Sequence, residues 1–228
     1  MSAVLWAAAG ALFTGVVSLA LGLCILRKLA VSLTRLEECV FGFLVGSAAL
    51  SLAVFLLTAV HLAYTAVFVS FGVITIAVWA SRFRGQRKPE FTAYGFPKWW
   101  FVFALLLCLR YAALYLCKAL GPEYSSDGIT YHLAFVARYL RVHHFPLITT
   151  KFHASFPEAA EMLFLFAFSI GKHSAAASTH LLFLFATAAA LIASCVLSTL
   201  IAALEATTLP QGSCTNCSGF CVMVTRRR

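Results

Sequence analysis

The chain has 228 residues, of which 62% are hydrophobic and only 11% charged, with a formal net charge of +9 and a mean hydropathy of +0.92. Its uncharged runs of roughly 20 residues exceed the needs of a soluble core and match the ~30 Å of hydrocarbon that a spanning helix crosses. Alternating strands of about 10 residues, the mark of a spanning barrel, are not seen, so the expected fold is all-α and polytopic.

Six spans are expected in chain order, at about residues 3–26, 40–60, 61–80, 99–120, 157–171 and 175–204. The first carries no preceding Lys or Arg and is too long for a cleavable signal, so it is expected to remain. Between the second and third, His61 and Tyr64 leave room only for a tight turn. The fifth is short and needs Phe156 or its neighbours to reach across. The positive charge does not point to nucleic acid, because it is gathered in short loops. Arg27, Lys28 and Arg35 fall in one; Arg82, Arg84, Arg87, Lys88 and Lys98 fall in another. Basic short loops mark the cytoplasmic side, which places the N-terminus outside, Lys172 inside, and the long 121–156 segment in the extracytoplasmic space. Trp99 and Trp100 open the fourth span, where indoles favour the headgroup level.

Of the eight cysteines, Cys24, Cys108, Cys117 and Cys195 fall in spans and Cys39 at a span edge, as small buried hydrophobes do. Cys214, Cys217 and Cys221 crowd the tail without the fourth ligand that a structural zinc needs. From Pro210 to Arg228 the composition turns to Gly, Ser, Cys and Thr and closes on three arginines. That stretch reads either as a disordered tail or as translation out of frame after about residue 205. The triple arginine opposes the topology of the loops and favours the second reading. The expected organisation is therefore an N-terminal membrane portion at 1–98, a second at 99–204 containing the 121–156 loop, and an atypical tail at 205–228.

Polar chemistry is concentrated after the fourth span. Asp127 is the chain's one aspartate, in a polar island from Gly121 to His132. Ile129, Leu133, Val136 and Leu140 follow at i, i+4, i+7 and i+11, an apolar stripe that predicts an amphipathic helix lying in the interface plane. Ser126 or Asp127 suits its N-cap. Asp127, Tyr131 and Arg138 share the face opposite the stripe, with His132 and Tyr139 beside it. Pro157 suits the first position of the re-entering helix. Glu158 and Glu161 fall in its first turn, favoured by the helix dipole, and share one face near the outer surface. Lys118 lies at the outer end of the fourth span, where it can snorkel. Arg110 lies near the middle, and an intramembrane charge either pairs, with Glu161 as a candidate, or lines a polar cavity.

The runs Ser126-Asp127-Gly128-Ile129-Thr130-Tyr131-His132-Leu133, Tyr139-Leu140, Phe156-Pro157 and Glu161-Met162-Leu163 resemble the start of the catalytic region of bacterial GT-C glycosyltransferases. The likeness is to those related to dolichyl-phosphate-mannose protein mannosyltransferases, with their RgtA/B/C/D-like domain, and covers roughly residues 100–200. It implies an enzyme of the bacterial plasma membrane and cell envelope. Such an enzyme transfers a sugar from a polyprenyl-phosphate carrier to an acceptor hydroxyl, with Asp127 as the base and inversion at the sugar. Arg110, Lys118, Tyr131, His132, Arg138, Arg141, Glu158 and Glu161 are then the substrate-binding candidates, and Lys151 a further cation for the departing phosphate. No metal is firmly implied; with a single aspartate, a divalent ion would depend on Glu158, Glu161, His132 or His153. Family members usually carry more spans and a substantial C-terminal portion, and many have one helix before the motif where this chain has three. The resemblance therefore also fits an incomplete enzyme, and the rival readings are a non-catalytic membrane fragment and a small transporter-like protein.

Overall fold

The computed structural model describes residues 2–30, 33–83, 98–121, 132–148 and 159–208, and all the regular structure among them is helical. The helices are α1 (Ser2–Lys28), α2 (Arg35–Ala59), α3 (Thr65–Phe83), α4 (Lys98–Leu120), α5 (Leu133–Val142) and α6 (Ala159–Thr208). One compact unit runs from Met1 to Ala193 and a second from Ser194 onward, where α6 continues to Thr208. Among the described residues, four helical stretches are long and apolar enough to cross a membrane: Val4–Lys28, Arg35–Ala59, Thr65–Arg82 and Ala159–Ile192. At 23 residues α4 is of similar length, and apolar side chains including Val102, Phe103, Leu106, Leu109 and Leu114 are exposed along it.

Helix α2 starts five residues earlier than its apolar run, because Thr34 forms a capping box. The Thr34 side chain accepts from the Glu37 amide, and the Glu37 carboxylate accepts from the Thr34 amide. Arg35, Glu37 and Glu38 are thereby wound into the first turn, and Arg27 of α1 reaches Glu38 at 3.1 Å. Helices α1 and α2 run antiparallel in backbone contact. A Cβ placed on Gly22 would stand 1.8 Å from the Gly42 carbonyl oxygen, and one on Gly46 1.7 Å from that of Ser18. Small residues four apart on both helices, Ser18 with Gly22 and Gly42 with Gly46, make this approach feasible.

The expected tight turn is present: α2 ends at Ala59, His61 takes the left-handed conformation at φ 65°, and α3 begins at Thr65. Gly72 of α3 then lets the chain close on Phe13 and Val17 of α1.

The fifth and sixth expected spans are one folded element. At Lys172 the backbone takes φ 59°, ψ −150°, a region almost reserved for glycine. Phe164 and His180 are 16 positions apart, which on a straight helix means about 24 Å. Their rings are nonetheless 4.7 Å apart. The chain therefore reverses at Lys172, and the two legs of α6 lie side by side. The first described leg, 159–171, is only about 20 Å long, and it starts beside the middle of α2, where the Ser51 hydroxyl donates to Ala159 O at 2.7 Å.

This geometry corrects the expected placement of Lys172. Gly171 packs against Trp6 and Ala7, and the Thr65 hydroxyl donates to Ser169 O. Lys172 thus shares one end of the bundle with the N-terminus of α1 and the α2–α3 turn, instead of standing at the opposite end. The other end carries Arg27, Lys28 and Arg35, with Arg82 near Cys24. The break expected at residues 172–174 is present, but the loop-charge reasoning assumed a complete crossing before it, whereas the first described leg starts beside the middle of α2.

Helix α5 also departs from the interface-plane expectation. Phe135, Val136 and Tyr139 are buried in one core with Leu50, Val54, Phe68, Met162 and Phe166, and Leu133 and Leu140 pack on it. The apolar stripe covers protein, and the helix lies along the first leg of α6 from Glu161 to the α2–α3 turn. There His143 closes it in the left-handed conformation; Ala63 donates its amide to His143 O at 3.3 Å, and His143 Nδ1 lies 3.0 Å from Ala63 O. The ring of His143 stacks on Tyr64 and that of His144 on His61.

Candidate functional site

His132, Glu161, His180 and Tyr115 come near one another between α5, the two legs of α6 and α4. Glu161 sits three positions into the first leg with 7% of its surface exposed. His132, immediately before α5, places Nδ1 2.5 Å from Glu161 Oε1. A carboxylate only accepts, so an ionised Glu161 takes the imidazole proton; a neutral Glu161 donates its own. Either way one proton lies between the two groups. His180 completes the group from the second leg, electrostatically coupled to both His132 and Glu161. Its ring lies against Phe164, and Tyr115 of α4 is 6.4 Å from it.

The reversal at Lys172 explains why these residues meet. Glu161 precedes the turn by 11 positions and His180 follows it by eight, about 16 and 12 Å along their legs. The two thus reach similar depth within the bundle. A continuous helix would separate them by about 28 Å.

Several sequence expectations change here. Glu161 was expected at the outer surface, but the first leg rises toward that end, so its start is buried among α2, α5 and the second leg. Arg110 was offered as its partner; the partner is His132, and Arg110 is exposed on α4. Lys118 is exposed on the same helix, and Arg138 and Arg141 are exposed on α5. The structure thus unites His132 with Glu161, and among the described residues none of these four cations forms an ion pair with Glu161. Asp127, Tyr131, Glu158, Lys151 and His153 lie outside the described residues, as does the proposed cap of the amphipathic helix.

Among the described residues, no three His, Cys, Asp or Glu side chains come together as a metal centre. His180 was not singled out from the sequence. It is an isolated histidine in an apolar run, eight residues beyond Lys172, and only the reversal gives that spacing meaning. Tyr115 was missed for the same reason. No family model, curated protein or solved structure matches the chain.

Proposed function

We propose that the chain is a membrane glycosyltransferase of the GT-C type, or the N-terminal portion of one. It would move a sugar from a polyprenyl-phosphate carrier to an acceptor hydroxyl outside the cytoplasm. The supporting residues are the Ser126–Leu133 run and its companions, and the supporting geometry is the bond from His132 to buried Glu161. That bond fixes one end of the segment carrying Asp127, five residues upstream.

In this reading the end bearing Arg27, Lys28, Arg35 and Arg82 faces the cytoplasm of a bacterial plasma membrane. The N-terminus, Lys172 and the α2–α3 turn face outward. Asp127 removes the acceptor proton as the hydroxyl attacks the anomeric carbon, and a single displacement inverts the sugar. Arg138 and Arg141, exposed on α5, with Lys118 and Lys151, supply positive charge for the departing lipid phosphate. Tyr131, Glu158 and Arg110 remain substrate-binding candidates, and a divalent ion remains optional.

A second reading, a small transporter-like protein, draws on a different observation. A buried carboxylate paired with a partly exposed histidine, beside a helix broken at Lys172, is an arrangement found around transported ions. The test is sugar transfer from a radiolabelled polyprenyl-phosphate sugar in vesicles containing the chain. Asp127→Asn is expected to lower turnover at least ~100-fold while circular dichroism retains its helical signal. Unchanged turnover in that variant removes Asp127 as the base. Carrier-independent uptake of solute without any transfer supports the transporter instead.

A further inference from the structure

We propose that the face of α4 around Arg110 is a docking surface for a membrane-spanning helix of another polypeptide, one that carries an Asp or Glu at mid-span. Arg110 and that carboxylate pair within the bilayer. The inference goes beyond the transferase reading and does not depend on it; it gives Arg110 a protein partner in place of substrate.

The side of the helix on which Arg110 stands is the first reason. From Val102 to Leu120, the described side chains of α4 are exposed except at Cys108, Ala112, Tyr115 and Ala119. Those residues are spaced i, i+4, i+7 and i+11 and so form one stripe. Tyr115 brings that stripe to His180 on the second leg of α6, which makes it the side by which α4 leans on the bundle. At about 100° per residue, Arg110 lies roughly 170° round the helix from it. Leu106 and Leu114, one turn to either side of Arg110, are 61% and 59% exposed. Arg110 thus stands in an open apolar face turned away from the bundle.

Depth is the second reason. Read as a span, α4 places Arg110 about 18 Å along its axis from Lys98 and about 15 Å from Leu120. In a hydrocarbon layer of about 30 Å, both headgroup levels are then far off. Lys118, two residues from the helix end, can snorkel to the surface. Arg110 has no such short route. A guanidinium keeps its proton at any accessible pH, so its charge is not relieved by titration. A cation left on a lipid-facing surface at that depth is costly, and intramembrane charges accordingly face protein or a water-filled cavity.

The chemistry of the partner follows from charge complementarity. Among the described residues no carboxylate forms an ion pair with Arg110. Glu37 closes the capping box of α2, Glu38 holds Arg27, and Glu161 is buried against His132. A second copy of the chain brings these same engaged side chains. A carboxylate on a different helix, level with Arg110, accepts the forked guanidinium contact. A lipid phosphate at the headgroup level is too far away to make it. Ala113 and Cys117, three and seven positions beyond Arg110, are exposed on the same side of α4, and their small side chains admit a second helix closely.

The test is energy transfer in vesicles of zwitterionic lipid between the donor-labelled full chain and acceptor-labelled synthetic spanning peptides of leucine and alanine. A peptide with one central Glu is expected to associate about tenfold more tightly than its all-apolar counterpart. Moving that Glu to the peptide's end should remove the gain, as should Arg110→Leu in the chain. Arg110→Glu should transfer the preference to a peptide with a central Arg. Equal association of the central-Glu, terminal-Glu and apolar peptides with the unmodified chain overturns the proposal, even where a variant fails to fold. A preference for central Glu that survives Arg110→Leu overturns it too. So does Arg110-dependent energy transfer between two copies of the chain without peptide, which would make the occupant a second copy.

Discussion

Replacing Gly46 by alanine tests the contact on which the first half of the bundle rests. The added Cβ would stand 1.7 Å from Ser18 O, 2.7 Å from the Gly22 amide nitrogen and 2.7 Å from the Ser18 carbonyl carbon. All three are backbone atoms of α1, so no side chain can swing aside. Real Cβ atoms do not approach within 3.0 Å, so relief along the shortest contact alone requires 3.0 − 1.7 = 1.3 Å of movement. A gap of 0.5–1 Å already forfeits about a quarter to a half of a contact's dispersion energy, and the whole α1–α2 seam shares the displacement. Inserting one methylene into a packed core costs about 1–3 kcal/mol. Here the rigid obstacle places the expected loss at the upper end, about 3 kcal/mol. Reversible unfolding in mixed micelles, followed by circular dichroism, measures it. Gly121→Ala is the control, because among the described residues its Cβ would meet nothing closer than 3.5 Å. Equal stability of Gly46→Ala and the parent, within about 0.5 kcal/mol, would refute the close backbone approach.

Lys172→Gly should stabilise the protein by about 1–3 kcal/mol, because φ 59° with ψ −150° is strained for any residue with a Cβ; a lower unfolding midpoint in the same assay contradicts that conformation. In a cysteine-free background, Lys172→Cys and His61→Cys should react with an impermeant maleimide from the same face of sealed vesicles, whereas labelling from opposite faces would undo the hairpin. Thr34→Ala should cost about 1 kcal/mol through loss of the capping box at α2, read as a lower unfolding midpoint; no change would show that the cap is dispensable. Glu161→Ala should cost about 1–3 kcal/mol by leaving His132 without its carboxylate, and should loosen α5, measured as faster amide exchange at Val136 and Tyr139; unaltered exchange there would mean that α5 is held by apolar packing alone.

The sequence by itself determined the helical class, the first four helices to within a few residues, and the turn at His61. These follow from local causes: the length of apolar runs, the breaks between them, and the grouping of Arg and Lys. It also marked Glu161 and His132 as polar residues of interest, although the partner it offered for Glu161 was Arg110. The small residues Ser18, Gly22, Gly42 and Gly46 were not singled out from the sequence, because their four-residue spacing gains meaning only when two helices face each other.

The sequence already parted the fifth and sixth spans at residues 172–174, but only the tertiary structure decided that the first leg starts beside the middle of α2 and turns at Lys172 beside the N-terminal end of α1. The turn hangs on one residue in a conformation that lysine does not favour. From that one bend come the burial of Glu161, its pairing with His132 and the arrival of His180 beside them. Helix α5 was similarly undecided, since an apolar stripe is satisfied equally by lipid or by protein. The core provided by Leu50, Val54, Phe68 and Met162 settled which of the two it covers.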